Sequence, residues 1–131
     1  MNQKLKKKKK IMIWGSGKAK REFLYVDDMA RASIYLMNLK KKMYQNFITP
    51  RCSHINVGSG FEISIRELAE KIKNTVGYNG EVDFDLNKPD GTPRKLINST
   101  IINKLGFKTK ISLNDGLKRT YSDYLSFNAN C

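Results

Sequence analysis

The chain has 131 residues, and its hydrophobic content of 40% is that of a globular protein, which excludes a chain that is disordered throughout. The formal net charge is +13, compatible with polyanionic partners such as nucleic acid, acidic membrane surfaces or phosphorylated small molecules. Cys52 and Cys131 are too few for a disulfide framework or a metal cluster, and no apolar run approaches the roughly 20 residues of a membrane span, so we expect a reduced, cytoplasmic protein.

Residues 1–10 form a lysine tract without an apolar face. We interpret this segment as a disordered, solvated tail. The alternative is an electrostatic arm for nucleic acid or lipid. Because the tract lacks interleaved arginines and aromatics, such an arm would give affinity without sequence selectivity.

The next segment predicts a strand, a turn, a second strand and a helix in quick succession. Residues 11–14 are an apolar run, Gly15 and Gly17 suit a turn, and residues 23–26 are again β-prone. Asp27 or Asp28 is expected to N-cap the helix that follows.

Arg21 stands where the second strand leaves the turn. There an arginine can direct a planar, permanently charged fork at a carboxylate or phosphate. The alternative is a surface hairpin with an exposed arginine.

The remaining elements follow from periodicity and capping signals. They are a helix over 28–45, a strand over 54–57, a helix opened by a capping box of Ser64 and Glu67 and ended at Gly77, a strand over 81–85, a short helix over 100–105, and a last helix capped by Ser112. The predicted order β-β-α-β-α-β-α-α indicates an α/β chain.

A Gly-Ser-Gly turn at 58–60 follows the strand over 54–57. It is not the dinucleotide-binding fingerprint, because Ile63 stands where the third glycine belongs. We expect His54, beside that strand, to be structural, and we assign no catalytic role to Cys52.

A second charged cluster occupies residues 88–95, where two prolines and a glycine stiffen a loop. Lys88, Arg94 and Lys95 are expected to surround the carboxylate of Asp90. Fixed cations on a rigid loop suit a pyrophosphate. The alternative is a solvated polar turn.

These motifs together resemble the GDP-L-fucose synthase family of extended short-chain dehydrogenase/reductases. The resemblance rests on Trp-Gly-Ser-Gly, then Arg-Glu-Phe-Leu-Tyr-Val-Asp-Asp-Met, and on the Lys-Pro-Asp-Gly-Thr-Pro-Arg-Lys loop, in the family's order. It implies an incomplete α/β fold: the C-terminal part of such an enzyme, with a substrate-binding subdomain and the last strand and helix of a Rossmann-like sheet. It also implies that Trp14, Arg21, Asp90 and Lys95 bind the GDP-sugar substrate.

The resemblance implies that residues 11–127 are the substrate-binding portion, between the tail of residues 1–10 and a mobile tail of residues 128–131. Met1 would then be a start codon inside a longer gene, with the lysine run encoded by an adenine run where reading frames are easily lost. The family converts GDP-4-keto-6-deoxy-D-mannose to GDP-L-fucose by epimerisation and NADPH reduction. Its cofactor fingerprint and catalytic serine, tyrosine and lysine have no counterpart here.

We therefore expect no catalytic, cofactor-binding or metal-binding residues in this chain, and no NADP binding by it alone. The expected partners are a GDP-sugar and a separate N-terminal Rossmann half, with neither nucleic acid nor membrane; the full-length family is typically homodimeric. We also expect marginal stability or association. The alternatives are a small basic binding module and an inert truncation product.

Overall fold

The computed structural model describes residues 9–129, and its residues fall into two units. The first contains the chain up to Arg21, residues 63–95 and the chain from Asn114 onward; the second contains residues 22–62 and 96–113. In chain order the elements are β1 (Lys10–Trp14), β2 (Lys20–Glu22), α1 (Val26–Met37), α2 (Lys41–Gln45), β3 (Glu62–Ser64), α3 (Ile65–Val76), β4 (Glu81–Asp85), β5 (Arg94–Lys95), α4 (Thr100–Lys104) and α5 (Leu113–Ala129). The expected α/β class is confirmed.

In the first unit, β1 pairs with β4 in parallel, from Lys10 opposite Glu81 to Trp14 opposite Asp85. Parallel strands need a crossover connection, and α3 lies between β1 and β4 along the chain. The predicted capping box opens α3: the Ser64 hydroxyl accepts from the Glu67 N–H, and the Glu67 carboxylate accepts from the Ser64 N–H.

A second sheet has three short strands in the order β3-β2-β5. Its β2 and β5 pair in parallel, with Lys20 opposite Arg94 and Arg21 opposite Lys95. The second strand therefore begins earlier than the predicted range of 23–26, because the partner strand β5 pairs with residues 20 and 21, and the chain is already helical at Val26.

The core of the second unit forms around Ala32, Ile102 and Phe107. Tyr35 donates from its hydroxyl to the Leu105 carbonyl, and its ring lies 5.7 Å from that of Phe107. Ile55 and Val57 also pack against this core. The predicted strand over 54–57 is wrong, since these described residues form no strand and contribute their apolar side chains to the core instead.

The helix predicted over 28–45 is two helices. The Asn38 side chain donates to the Ile34 carbonyl at 2.8 Å, and α1 ends there before α2 begins at Lys41. The predicted aspartate N-cap is also wrong: Tyr25 is the N-cap residue, and its side chain does not cap the first turn. Asp28 lies inside the first turn, where distant backbone groups bind its carboxylate.

Only the inner ends of the two predicted tails, residues 9–10 and 128–129, lie within the described residues. β1 begins at Lys10 and α5 continues through Ala129, so these residues belong to regular elements. Residues 1–8, 130 and 131, and with them most of the predicted tails, lie outside the described residues. Within residues 9–129, no helix has both the length and the apolar character needed to cross a membrane.

The last helix buries only some of its apolar side chains. Leu113, Leu117 and Tyr121 are half-buried, but Tyr124 and Leu125 are exposed. Tyr121 donates from its hydroxyl to the carbonyl of Val76, the last residue of α3. Since α3 ends there, it offers no further surface to the residues that follow Tyr121.

Candidate functional site

Trp14 ends β1 with its side chain 73% exposed. Along β1 the half-buried residues alternate with exposed ones, so Trp14 shares a face with Met12, opposite Ile11 and Ile13. The Lys88 ammonium lies 5.3 Å from the centroid of the Trp14 ring. The end of β1 therefore presents an aromatic surface beside a positive charge, which we call the Trp14–Lys88 platform.

The turn after Trp14 binds the loop of residues 86–93 through Ser16 and Asp90. The Ser16 N–H donates to Oδ1 of Asp90 at 2.7 Å, and the Ser16 hydroxyl donates to Oδ2 at 2.6 Å. Both carboxylate oxygens are thus engaged by one residue. The sequence predicts that Lys88, Arg94 and Lys95 surround Asp90. In the structure Ser16 supplies two donors to Asp90, and Lys88 lies beside Trp14.

Arg21 fixes the other end of the same loop. Its Nη1 donates to the Thr92 carbonyl at 2.7 Å, and the Lys20 N–H donates to the Pro93 carbonyl at 2.8 Å. Because Arg21 and Lys95 are register partners on parallel strands, their side chains leave the same face of the sheet. Two cations thus lie side by side where the loop returns to the sheet.

All four predicted site residues belong to the first unit. The structure attaches the turn that follows Trp14 to Asp90, and Arg21 pairs with Lys95. The sequence patterns do not predict the contact of Ser16 with Asp90. The Trp-Gly-Ser-Gly motif contains it, but nothing in the local pattern connects it to a residue 74 positions away.

The pKa of the Asp90 carboxyl lies below its ordinary 3.8, chiefly because the Ser16 hydroxyl and N–H donate to it, with additional attraction from Lys18. A pKa that is lower in the folded state stabilises the fold above the unfolded-state pKa, and this contribution is lost as the pH falls through the folded-state pKa. The contact should therefore stay intact at neutral pH and weaken only below 3.8.

We expect an NMR titration of the Asp90 side-chain carbon to give a midpoint below 3.8, and Ser16→Ala to move that midpoint upward toward 3.8. Glu67, whose pKa is lowered by the Ser64 hydroxyl and N–H, is the internal control and should be unaffected by Ser16→Ala. An Asp90 midpoint at or above 3.8 in the unaltered chain would contradict the contact.

A family model and the curated relatives that match this chain indicate the same kind of protein. Residues 1–58 match the model of the NAD dependent epimerase/dehydratase family. The chain is 51% identical over 115 residues to the GDP-L-fucose synthase of Escherichia coli K12, covering 88% of this chain and 36% of that protein. It is 50% identical over 115 residues to the putative GDP-L-fucose synthase 2 of Arabidopsis thaliana, covering 88% of this chain and 32% of that protein.

Among solved structures, the chain resembles the GDP-mannoheptose C4 reductase MlghC of Campylobacter jejuni, which was solved with NADP bound. The TM-score is 0.74 at 41% sequence identity, and the likeness covers 88% of this chain and 35% of that one. The chain thus spans about a third of the length of the curated relatives it matches. Residues 1–58 are thus similar to the NAD dependent epimerase/dehydratase family, and most of the chain is similar to one third of the GDP-L-fucose synthases.

Proposed function

We propose that this chain is the GDP-sugar-binding portion of a GDP-L-fucose synthase, the enzyme that converts GDP-4-keto-6-deoxy-D-mannose to GDP-L-fucose. The observation that carries the proposal is the grouping of an exposed aromatic, a loop fixed at both ends and paired cations within the first unit. The similarity to GDP-L-fucose synthases over 88% of the chain supports it.

In this proposal Trp14, Arg21, Asp90 and Lys95 form the substrate site. The exposed ring of Trp14 offers a flat surface to a base or to the apolar face of a sugar. Arg21 and Lys95 supply positive charge to the diphosphate, for which charge-assisted hydrogen bonds are the strong interaction. Asp90, whose carboxylate joins its loop to Ser16, completes the proposed site.

NADP is the cofactor of the proposed parent enzyme, and the glycine turn of this chain does not fit it. In the second unit the Gly60 N–H donates to Oε1 of Glu22 at 2.6 Å, and the Ser59 hydroxyl donates to the same oxygen at 3.3 Å. A turn whose donors already bind a carboxylate would repel a dinucleotide phosphate. We therefore propose that cofactor binding and catalysis belong to polypeptide outside this chain, and that the chain alone is inactive.

An open apolar groove in the first unit supports the same conclusion. It has a volume of about 300 Å³ and lies between β1, α3 and β4, lined almost wholly by aliphatic side chains including Ile11, Ile13, Leu68, Ile72 and Val82. Since the relatives are about three times as long, we propose that the remaining part of such an enzyme covers this groove, as a separate N-terminal half or in a longer chain.

Cys52 is a free, exposed thiol, which is typical of a reducing compartment. We therefore propose that the protein is cytoplasmic.

The proposal is tested by titrating the full chain with GDP and following amide shifts of residues 14–21 and 88–95 by NMR. We expect weak, saturable binding with a Kd of about 1 mM, because much of the ligand-binding cleft is missing. Arg21→Ala and Lys95→Ala should each raise the Kd about tenfold, as expected for a lost charge-assisted contact. Lys118→Ala, a charge-matched change on α5, should leave the Kd unchanged.

The same titration separates this proposal from a basic binding module. Removal of residues 1–8, which leaves β1 whole, should leave GDP binding intact if the site is the one described. A basic module predicts instead that binding falls steeply with salt and disappears with the lysine tract. A sub-micromolar Kd for the isolated chain would contradict the proposal that much of the cleft lies outside it.

A further inference from the structure

The turn of residues 15–19 joins β1, which ends at Trp14, to β2, which contains Arg21. In the proposed site Trp14 faces the base or sugar and Arg21 faces the diphosphate, so the conformation of this turn sets the spacing between the two contacts. We propose that Arg66 of α3 is a positioning residue that fixes this spacing. This inference rests on the proposed function and adds to its site a residue from α3.

The N-terminus of α3 binds the turn through backbone groups. The Arg66 N–H donates to the Gly17 carbonyl at 3.0 Å, and the Ile65 N–H donates to the Ala19 carbonyl at 3.0 Å. The first N–H groups of a helix have no partner within the helix, so these carbonyls supply acceptors that α3 itself lacks. These two contacts do not depend on a side chain, and a substitution at Arg66 leaves them available.

The Arg66 side chain adds a third contact to the turn. Its Nη2 donates to the Ser16 carbonyl at 3.0 Å, and its guanidinium lies 3.8 Å from the centroid of the Phe84 ring. A planar guanidinium stacks on a ring and donates within its own plane at the same time, which an ammonium does not do. Phe84 therefore orients the group that binds the Ser16 carbonyl, two residues after Trp14.

The turn needs such a contact because two of its residues are glycines. Gly15 and Gly17 have φ values of 81° and 74°, a region that glycine adopts readily, but glycine also adopts many others. The Ser16 carbonyl belongs to the peptide group that joins Ser16 to Gly17. Without the Arg66 side chain this peptide group would sample more orientations. Ordering it when one ligand spans Trp14 and Arg21 would then cost affinity.

Two ligands separate positioning from direct binding. GDP is expected to span Trp14 and Arg21, whereas pyrophosphate offers a partner only to the cations. Two linked contacts depend on their spacing, and a single contact does not. We expect Arg66→Met, which keeps an apolar side chain against Phe84, to raise the GDP Kd about fivefold and to leave the pyrophosphate Kd within about twofold. Both constants are measured by NMR titration of the full chain.

Arg66→Lys tests whether charge alone is sufficient. The lysine keeps the positive charge but does not combine stacking on Phe84 with donation to Ser16, so we expect its GDP Kd to rise as in Arg66→Met. Arg119→Met on α5 is the matched arginine control and should change neither Kd. GDP binding by Arg66→Lys at the unaltered affinity would overturn the assignment. An equal loss of GDP and pyrophosphate binding in Arg66→Met would show that Arg66 binds the diphosphate itself, and would also overturn it.

A second readout needs no ligand. We expect the ¹⁵N order parameters of the Ser16 and Gly17 amides to fall in Arg66→Met, from about 0.85 toward about 0.6, while those of β1 and β4 stay unchanged. A general loss of order in β1 and β4 would indicate a structural role only, and would contradict the proposal. Should Arg66→Met fail to fold, Arg66→Lys gives the same measurements.

The two proposals fail in different ways. If the unaltered chain does not bind GDP, the proposed function fails, and the order parameters alone decide whether Arg66 fixes the turn. If GDP binds but Arg66→Met changes neither the GDP Kd nor the order parameters, the positioning role is refuted while the proposed function stands.

Discussion

Replacing Asp28 by alanine is expected to lower the free energy of unfolding of the second unit by about 3 kcal/mol, the range for breaking a buried charged network. Asp28 is fully buried. Its Oδ1 accepts from Arg31, and its Oδ2 accepts from the N–H groups of Lys110 and Ile111, each at 2.9 Å. The substitution would leave two backbone donors without their acceptor and Arg31 without its counter-charge.

Hydrogen exchange is the suitable measurement, because it reports the free energy of opening at each amide. A single global unfolding transition would average the stabilities of the two units. Protection of the Lys110 and Ile111 amides should fall by roughly a hundredfold or more, matching the expected loss. Asp27→Asn, on the same turn but exposed, is the control and should cost under about 1 kcal/mol. A loss of similar size in both variants would contradict the assigned role of Asp28.

Gly17→Ala should destabilise the first unit by about 2–4 kcal/mol, the sum of left-handed backbone strain and overpacking. Gly17 has a φ of 74°, and a Cβ added there would overlap the ring of Phe84. That ring has little freedom to move away, because Arg66 lies over it. The expected loss should appear in the exchange of amides in β1 and β4.

Gly77→Ala separates the two contributions. Gly77 ends α3 with a φ of 65°, and a Cβ there would meet nothing within 4 Å. It should therefore show backbone strain alone, about 1–2 kcal/mol. Equal losses for the two variants would mean that the contact between Gly17 and Phe84 contributes nothing.

The features that sequence predicted well are those that local chemistry determines. The capping box at Ser64 and the stop at Gly77 depend on residues within one helical turn, and both are present. The strand over 81–85 follows from alternation of apolar and acidic residues, and it is present with the same bounds. Such signals need no knowledge of the rest of the chain.

The features that sequence predicted wrongly depend on distant partners. Aspartate is a residue type that helix N-caps favour. The Asp28 carboxylate instead accepts hydrogen bonds from the backbone N–H groups of Lys110 and Ile111. Residues 54–57 have the composition of a strand, but Ile55 and Val57 pack into a helical core. Local propensity is a weak prior where tertiary contacts are stronger.

The sequence predicts the candidate residues of the site but not all of its contacts, because some contacts join distant residues. Trp14, Arg21, Asp90 and Lys95 were identified through motifs, and the parallel pairing of β2 with β5 explains why Arg21 and Lys95 lie together. The double hydrogen bond from Ser16 to Asp90 could not be predicted, because it joins two loops that only the fold brings into contact.

We propose that the first unit binds the guanosine diphosphate group of a GDP-sugar at Trp14. The most direct test of this proposal is the fluorescence of Trp14 in the full chain during addition of GDP at constant ionic strength. We expect a saturable change with a midpoint of about 1 mM, shifted to higher GDP concentration in Arg21→Ala. A signal that does not saturate, or that Arg21→Ala leaves unchanged, would contradict it.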